Sequence, residues 1–275
     1  MGPELTGAAT AAPPPPLVAR LRGLLSLAIV LGVVALAYWQ TDFDVAALFT
    51  GSADFWRFFG RLVPPLPEMR SEWGAYLPQL AGPLLETLQI AYVGTFFGTL
   101  LAVPLIFLAS ANTAVDRVSM WVARVLLTVL RSIPDLLWAA ILVPILVVGP
   151  LPGAVALTLF SIGVLAKLGS ETVEAIDPGP LEALRAAGAG RLATIVYAVV
   201  PQIAATMVSY VLYVFEINVR ASVIIGLVGA GGIGFLLQVQ LNFFNYTRVG
   251  LIIVVIFLVV LAIDAVSVWA RSKLI

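Results

Sequence analysis

Six long apolar stretches are the feature that most constrains how this chain folds. A helix rises about 1.5 Å per residue, so an apolar stretch of about 20 residues crosses the roughly 30 Å hydrocarbon core of a bilayer. We therefore predict an all-α integral membrane protein with about six transmembrane helices. The predicted spans lie at about 24–39, 82–110, 118–148, 153–170, 192–216 and 247–270.

The composition agrees with a membrane environment and excludes several functional classes. Hydrophobic residues make up 61% of the chain and charged residues only 11%, whereas soluble domains carry about 25% charged residues. Lys+Arg and Asp+Glu are balanced at 15 each, so the chain lacks the basic excess of a nucleic-acid-binding protein. Because Cys and His are both absent, thiolate metal sites and Ser–His catalysis are not available. We expect a non-catalytic chain.

The N-terminal region begins with a segment rich in Ala, Pro and Gly. We predict that residues 1–19 form a disordered cytoplasmic tail. An apolar run follows Arg20 and Arg22, and such a pattern is also typical of a signal peptide. The run ends in Tyr38-Trp39-Gln40, an aromatic pattern of the membrane interface rather than a small-residue cleavage site. We therefore predict a first transmembrane helix.

Residues 20–80 hold this first span and a less apolar outer segment. In that segment, aromatic side chains alternate with arginines at Phe55, Trp56, Arg57, Phe58, Phe59 and Arg61. The pattern predicts an amphipathic helix lying in the membrane interface, with a mobile loop as the alternative. The other five spans lie within residues 81–275.

The distribution of basic residues predicts the orientation, because Lys and Arg are enriched on the cytoplasmic side of membrane proteins. With the N-terminus in the cytoplasm, that side receives Arg20, Arg22, Arg117, Arg124, Arg185, Arg191, Arg271 and Lys273. The outer side receives Arg57, Arg61, Arg70, Arg220 and Arg248. We therefore predict that both termini are cytoplasmic.

Two glycines in the second span have the spacing of a helix-packing motif. Gly94 and Gly98 form a GxxxG sequence, which lets another helix approach closely. Glycine is common in membrane helices, so a chance match is the alternative.

The segment 178–190, between the fourth and fifth spans, predicts a short cytoplasmic helix. Pro178 and Pro180 suit a first helical turn, which needs no backbone donors. Glu182 lies near that N-terminus, where the helix dipole favours an anion, and Gly188 can end the helix. Such a helix could lie in a groove of another protein, or the segment could be a plain connecting loop.

This segment resembles the cytoplasmic-loop signature of binding-protein-dependent ABC importer permeases. That signature is Glu-Ala-Ala, three residues and Gly, followed downstream by Ile-x-x-Pro. The chain matches it at Glu182, Ala183, Gly188 and Pro201. It departs from it at Leu184, in place of the third Ala, and at Ala198, in place of the Ile. In the family this helix docks on the ATPase subunit, so the resemblance implies ATPase coupling through Glu182, Ala183, Arg185 and Gly188.

Four further segments resemble the phosphonate-importer permeases in particular. They are residues 86–95, 131–138, 215–222 and 226–234. Together the likeness covers roughly residues 80–270. It implies that residues 81–275 form the permease core, with the type I importer fold of the methionine-importer permease.

The glycine-rich segment also has the spacing of a dinucleotide-binding fingerprint, at Gly229, Gly231 and Gly234. That fingerprint requires a preceding strand and an acidic residue about 20 residues further on, where this chain has Val254. We interpret these glycines, with Gly232, as positions where the backbone turns and approaches a neighbour or the translocation path. Since no GxxxxGK[ST] motif is present, we expect ATP and Mg²⁺ to be bound by a partner ATPase.

Charged and polar residues within the spans are candidates for the translocation path, because burying them in a membrane is costly. Arg131, with Ser132 and Asp135, lies beside Pro134, which would kink the helix. We predict that this group lines a cavity. The alternative is that Arg131 is neutralised locally by Asp135.

A second candidate group lies in residues 215–222. Glu216 and Arg220 are four residues apart, the favourable order for a helical ion pair. The alternative is that the group lines the route or its outer gate, through Glu216, Asn218, Arg220 and Ser222. An arginine suits a phosphonate because its fork makes paired hydrogen bonds to oxyanions.

We expect the permease subunit of an ATP-driven importer of phosphonate, or of a phosphate- or phosphite-like oxyanion, that works by alternating access in the bacterial plasma membrane. The resemblance implies a second permease copy, two ATPase subunits and an extracytoplasmic solute-binding protein. A self-sufficient secondary transporter is the alternative, but such folds often show inverted repeats, and no internal repeat is visible. A purely structural membrane scaffold is a further alternative.

Overall fold

The computed structural model describes residues 17–41 and 51–273, and the regular elements within them are all helical. The helices are α1 (Leu17–Gln40), α2 (Ser52–Leu62), α3 (Leu66–Tyr76), α4 (Ala81–Ala109), α5 (Arg117–Ser132), α6 (Asp135–Leu146), α7 (Pro150–Glu174), α8 (Gly179–Ala186), α9 (Arg191–Thr194), α10 (Val200–Gly226), α11 (Gly232–Asn242) and α12 (Tyr246–Arg271). A 3₁₀ turn joins α3 to α4, and a π turn at Ile195–Val199 joins α9 to α10. The predicted all-α fold is confirmed.

Five of the described helical segments are long and apolar enough to cross a membrane. They are Leu21–Gln40, Met69–Ala109, Pro150–Glu174, Arg191–Gly226 and Tyr246–Arg271. The pair α5 and α6 passes the same test together but is bent by 84° at the break between them. The prediction of about six spans therefore holds when this bent pair counts as one span.

The third predicted span, 118–148, is wrong as a single helix. Ile133 leaves the helical region with φ −97° and ψ 118°, since the residue before a proline is disfavoured in the α conformation. Pro134 is extended as well, with ψ 146°. The expected kink is therefore a complete break between two shorter helices.

Two other predicted boundaries need correction. The fifth span was predicted to end at residue 216, but α10 continues to Gly226, because the polar residues in its last turns do not interrupt the helix. At the N-terminus, α1 begins at Leu17, inside the segment predicted as a tail. Residues 1–16 of that predicted tail lie outside the described residues.

The chain separates into two compact units, residues 1–58 and 59–275. Within the first unit, α1 buries none of its spanning segment, and Arg57 forms an ion pair with Asp54 one turn earlier in α2. The placement of α2 in the membrane interface stays a prediction.

Within the second unit, the segment before α4 is attached to the start of α12. The Trp73 indole Nε1 donates a hydrogen bond to the Thr247 carbonyl over 3.0 Å. The Arg248 guanidinium lies 4.8 Å from the centre of the Tyr76 ring, a cation–π distance. Residues 66–80 are therefore anchored to the last span.

The centre of the second unit is the contact between α4 and α7, which depends on Gly94 and Gly98. A Cβ on Gly94 would lie 2.6 Å from the Leu157 Cβ, and one on Gly98 would overlap the Ser161 side chain. Both separations are shorter than carbon atoms tolerate, so only glycine permits this approach. The predicted packing role of the GxxxG sequence is confirmed.

Candidate functional site

The short helix α8 presents most of its surface to solvent. Only Leu181 is buried, at 4% exposure, and it packs into the core cluster that contains Leu165 and Val199. The residues predicted to couple to an ATPase are all exposed, at Glu182, Ala183, Arg185 and Gly188. The helix is thus held by Leu181 and the partly buried Leu184, and its coupling to an ATPase stays a prediction.

Both ends of α8 are fixed by local sequence. At its start the Asp177 carboxylate accepts a hydrogen bond from the Gly179 backbone N–H over 2.9 Å. At its end Gly188 adopts φ +80°, a left-handed conformation that favours glycine. Its N–H donates to the Arg185 carbonyl, and the Ala189 N–H donates to the Leu184 carbonyl. This is a Schellman ending, and it explains why the signature has glycine at position 188.

The loop between α4 and α5 connects α8 to the end of α7. The Arg185 guanidinium donates to the Asn112 carbonyl over 2.8 Å. In turn the Asn112 side-chain amide donates to the Val173 carbonyl over 2.9 Å, and the Ala111 N–H donates to Glu174 Oε1 over 2.7 Å. A continuous set of hydrogen bonds therefore runs from α8 through this loop to α7.

The π turn before α10 is associated with Pro201, the last residue of the signature. A proline has no N–H to give to the preceding turn, and a wider π turn accommodates such a defect. The Gln202 side chain donates to the Ala198 carbonyl over 2.8 Å, which satisfies an acceptor beside the proline. Pro201 was recognised in the sequence as part of the signature, but the π turn before it was not predicted.

The glycine-rich segment after α10 is a buried turn. Gly229, Gly231 and Gly232 have φ values of +95°, +83° and +70°, so each needs the freedom of glycine. The Ile233 N–H donates to the Thr87 hydroxyl over 2.8 Å, and the Gly149 N–H donates to the Gly229 carbonyl over 3.1 Å.

Gly234 lies in the first turn of α11 and packs against the Val223 backbone of α10. The structure therefore shows the four glycines enabling close backbone contacts within the subunit. Their role in a translocation path stays a prediction.

Asn218 lies in the interior at 0% exposure, where α4, α7 and α10 meet. Its side-chain N–H groups donate to the Thr95 hydroxyl and to the Ser161 hydroxyl, each over 2.8 Å. Ser222, also fully buried, donates to the Val219 carbonyl of its own helix. Both residues are buried within the subunit, and their role in a path or gate stays a prediction. Thr95 and Ser161 were not recognised in the sequence because they come from distant spans.

Glu216 is the centre of an ion cluster, with its side chain only 8% exposed. Its Oε1 accepts from Arg220 over 2.6 Å, and its Oε2 accepts from Arg271 over 2.9 Å. The predicted Glu216–Arg220 pair is therefore present, and Arg271 is an additional partner 55 residues away. Arg220 and Arg271 thus share one carboxylate, and the sides of the membrane to which the two arginines were assigned stay a prediction.

Arg131 lines a polar cleft between α5 and α7. The Asp135 carboxylate accepts from the Leu136 N–H, and the Ser132 hydroxyl donates to the Thr128 carbonyl. Arg131 therefore receives no ion pair from Asp135, contrary to the alternative considered from the sequence. The cleft has a volume of about 270 Å³ and is lined by Arg124, Leu127, Thr128, Arg131, Lys167, Ser170, Glu171 and Glu174.

Comparisons with known proteins identify the family. Residues 94–273 match the family described as binding-protein-dependent transport system inner membrane component. The phosphate-import permease protein PhnE of Mycolicibacterium smegmatis is 38% identical over 90% of this chain, which spans 45% of that protein's length. The phosphite transport system permease protein PtxC of Stutzerimonas stutzeri is also 38% identical over 90% of this chain, and 87% of its length is covered.

A solved structure has the same fold. The MetNI methionine ABC transporter, in an inward-facing conformation, matches 71% of this chain and 96% of its own chain, with a TM-score of 0.60 and 20% identity. The exposed α8 and its Schellman ending occupy the part of the chain that carries the importer signature. The chain therefore belongs to the binding-protein-dependent transport family, whose members are the inner-membrane permease subunits of ABC importers.

Proposed function

We propose that this permease imports a small phosphorus oxyanion: phosphonate, phosphite or phosphate. The observation that carries the proposal is the 38% identity, over 90% of the chain, to permeases named for phosphate and phosphite. Cationic side chains inside an apolar protein support it, because fixed positive charge lowers the Coulomb cost of moving an anion through a low-dielectric region.

The proposed complex contains two copies of this permease, two ATPase subunits that bind ATP and Mg²⁺, and an extracytoplasmic solute-binding protein. The α8 helix docks on an ATPase through Glu182, Ala183 and Arg185, and both termini lie in the cytoplasm. ATP binding closes the ATPases, α8 moves with them, and the paired permeases open outward to accept the solute. This chain holds no cofactor and performs no bond chemistry.

The proposal is tested by uptake in proteoliposomes that contain the permease, its ATPase and its solute-binding protein. Radiolabelled phosphate, phosphite and methylphosphonate are added in turn, with methionine and sulfate as controls. We expect ATP-dependent uptake of at least one phosphorus oxyanion and none of methionine. Uptake of methionine, or of no phosphorus oxyanion, would contradict the proposal.

The same preparation separates an ABC importer from a secondary transporter. An importer loses uptake when the ATPase is omitted, whereas an ionophore that dissipates ion gradients leaves its uptake unchanged. The opposite pattern would favour a self-sufficient secondary transporter.

A further inference from the structure

The cleft between α5 and α7 contains more positive than negative charge. Its charged side chains are Arg124 and Arg131 from α5, and Lys167, Glu171 and Glu174 from α7. Arg124 pairs with Glu174, and Lys167 pairs with Glu171 over 2.8 Å. Both carboxylates are thereby used, and the cleft carries one surplus positive charge.

The surplus charge belongs to Arg131. Among residues 17–41 and 51–273, no hydrogen bond or ion pair to the Arg131 side chain is present. Its Cγ would lie 3.0 Å from a Cβ on Gly163, so the arginine passes directly over the α7 backbone. The Arg131 side chain is exposed in the isolated chain, so its guanidinium is accessible to a ligand that is not part of this chain.

The position of Arg131 makes this charge functionally significant. Gly163 is close to the middle of α7, which runs from Pro150 to Glu174. Lys167 lies about 6 Å further along the helix at 1.5 Å per residue, and Glu174 lies at its end. The cleft is therefore a row of cations that runs from the middle of the bundle towards one end of α7.

The hydroxyl groups in the cleft are already engaged. Thr128 donates to the Arg124 carbonyl over 2.8 Å, and Ser170 donates to the Lys167 carbonyl over 2.9 Å. Recognition of a ligand therefore depends on the cations. A guanidinium fork with a nearby ammonium group suits the several oxygens of a tetrahedral oxyanion. The volume of about 270 Å³ is several times the roughly 30 Å³ share of one water molecule, which leaves room for such an ion.

We propose that Arg131 and Lys167 bind a phosphate-type oxyanion in this cleft. Arg131 holds the anion. Lys167 leaves Glu171, and Arg124 leaves Glu174, to contact the anion in turn. Competition from these carboxylates keeps anion binding weak enough for release. The inference rests on the proposed import of a phosphorus oxyanion for its physiological meaning. The same chemistry is offered by a dissolved phosphonate and by the phosphate of a lipid headgroup.

The binding test uses the full chain purified in detergent. The rise in the midpoint of thermal unfolding on adding methylphosphonate or inorganic phosphate measures binding of the dissolved oxyanion. Native mass spectrometry measures the phospholipid that co-purifies with the protein. We compare Arg131→Gln and Lys167→Gln with Arg117→Gln, which removes an equal charge from the same helix outside the cleft. Loss of a charge-assisted contact predicts binding weaker by about tenfold or more in the two cleft variants, with Arg117→Gln unchanged.

The outcomes distinguish the source of the oxyanion. If the Arg131 and Lys167 variants bind methylphosphonate or phosphate more weakly, the cleft is assigned to the solute. If the two variants retain less co-purified lipid, the cleft is assigned to a lipid headgroup. If the unaltered protein, Arg131→Gln, Lys167→Gln and Arg117→Gln all bind the dissolved oxyanion equally and retain equal amounts of phospholipid, the inference is overturned. Arg131→Lys, which keeps the charge, should restore part of the binding, and Lys167→Gln provides an independent test if Arg131→Gln does not fold.

Uptake in the assembled transporter separates this inference from the proposed function. If the unaltered protein imports a phosphorus oxyanion and Arg131→Gln imports it equally well, the proposed function stands and a cleft on the solute route is rejected. If the unaltered protein imports none, the proposed function fails, and the binding test still decides whether the cleft holds an oxyanion.

Discussion

At the scale of single residues, Asn218 joins three helices through two hydrogen bonds, to Thr95 and Ser161. Asn218→Leu keeps a similar volume but removes both bonds, so we expect the free energy of unfolding to fall by about 1–2 kcal/mol. Unfolding by a denaturing detergent measures the change. Ser222→Ala is the control, since Ser222 bonds only within its own helix, and equal stability of the two variants would contradict the joining role.

The Glu216 cluster predicts an unequal response to the loss of its members. Glu216→Gln leaves two arginines without a counter-charge, and we expect about 2–3 kcal/mol of destabilisation, less than a fully buried pair would give because Arg220 is 48% exposed. Arg271→Gln leaves the Glu216–Arg220 pair intact, so we expect the smaller loss, about 1 kcal/mol. Thermal unfolding in detergent ranks the two variants, and the reverse order would show that Glu216 is not the centre of the cluster.

At the scale of elements, the end of α8 predicts a defect in coupling without a defect in folding. Gly188→Val places a β-branched residue at φ +80°, which strains the Schellman ending by about 1–2 kcal/mol. We expect normal membrane insertion but loss of solute-stimulated ATP hydrolysis in the assembled complex. Gly190→Val is the matched control, because Gly190 has φ −66° and open space around it. Normal coupling in Gly188→Val would reject the docking role of α8.

The contact between α4 and α7 predicts a packing defect. A Cβ on Gly94 would lie 2.6 Å from the Leu157 Cβ, so Gly94→Ala should separate the helices at a cost of about 1–3 kcal/mol. Gly82→Ala, in the first turn of α4, meets nothing within 4 Å and should leave stability nearly unchanged. Thermal unfolding of the two variants measures the difference, and equal midpoints would mean that the helices can accommodate the extra methyl group.

The sequence allowed the spans and the short α8 to be predicted, because long apolar runs and the Pro and Gly residues at helix ends act locally. It predicted a kink at Pro134 but not the complete break, since a proline can either kink or end a helix. It also did not reveal the contact of Arg271 with Glu216, which are 55 residues apart. The sequence also did not reveal that Asn218 lies where three helices meet, because Thr95 and Ser161 belong to distant spans.

At the scale of the whole molecule, the orientation of the chain can be tested directly. The chain has no cysteine, so single cysteines can be introduced without further changes. Val147→Cys lies in the exposed turn before α7, and Lys273→Cys lies just after α12. With α5 and α6 forming one span, we expect a membrane-impermeant thiol reagent added outside intact cells to label position 147 only. Labelling of both positions from one side would contradict the six-span topology.

The hydrogen bonds of the loop between α4 and α5 limit how the subunit can deform. Since Arg185 bonds to Asn112, and Asn112 bonds to Val173, α8 and the end of α7 are tied into one rigid body. If α8 is displaced, these hydrogen bonds and the buried Leu181 link it to the end of α7. The π turn at Ile195–Val199 and the break at Pro134 are two places where the regular helical hydrogen bonding is interrupted. Bending at these two places would leave the hydrogen bonds between α8, the loop and α7 intact.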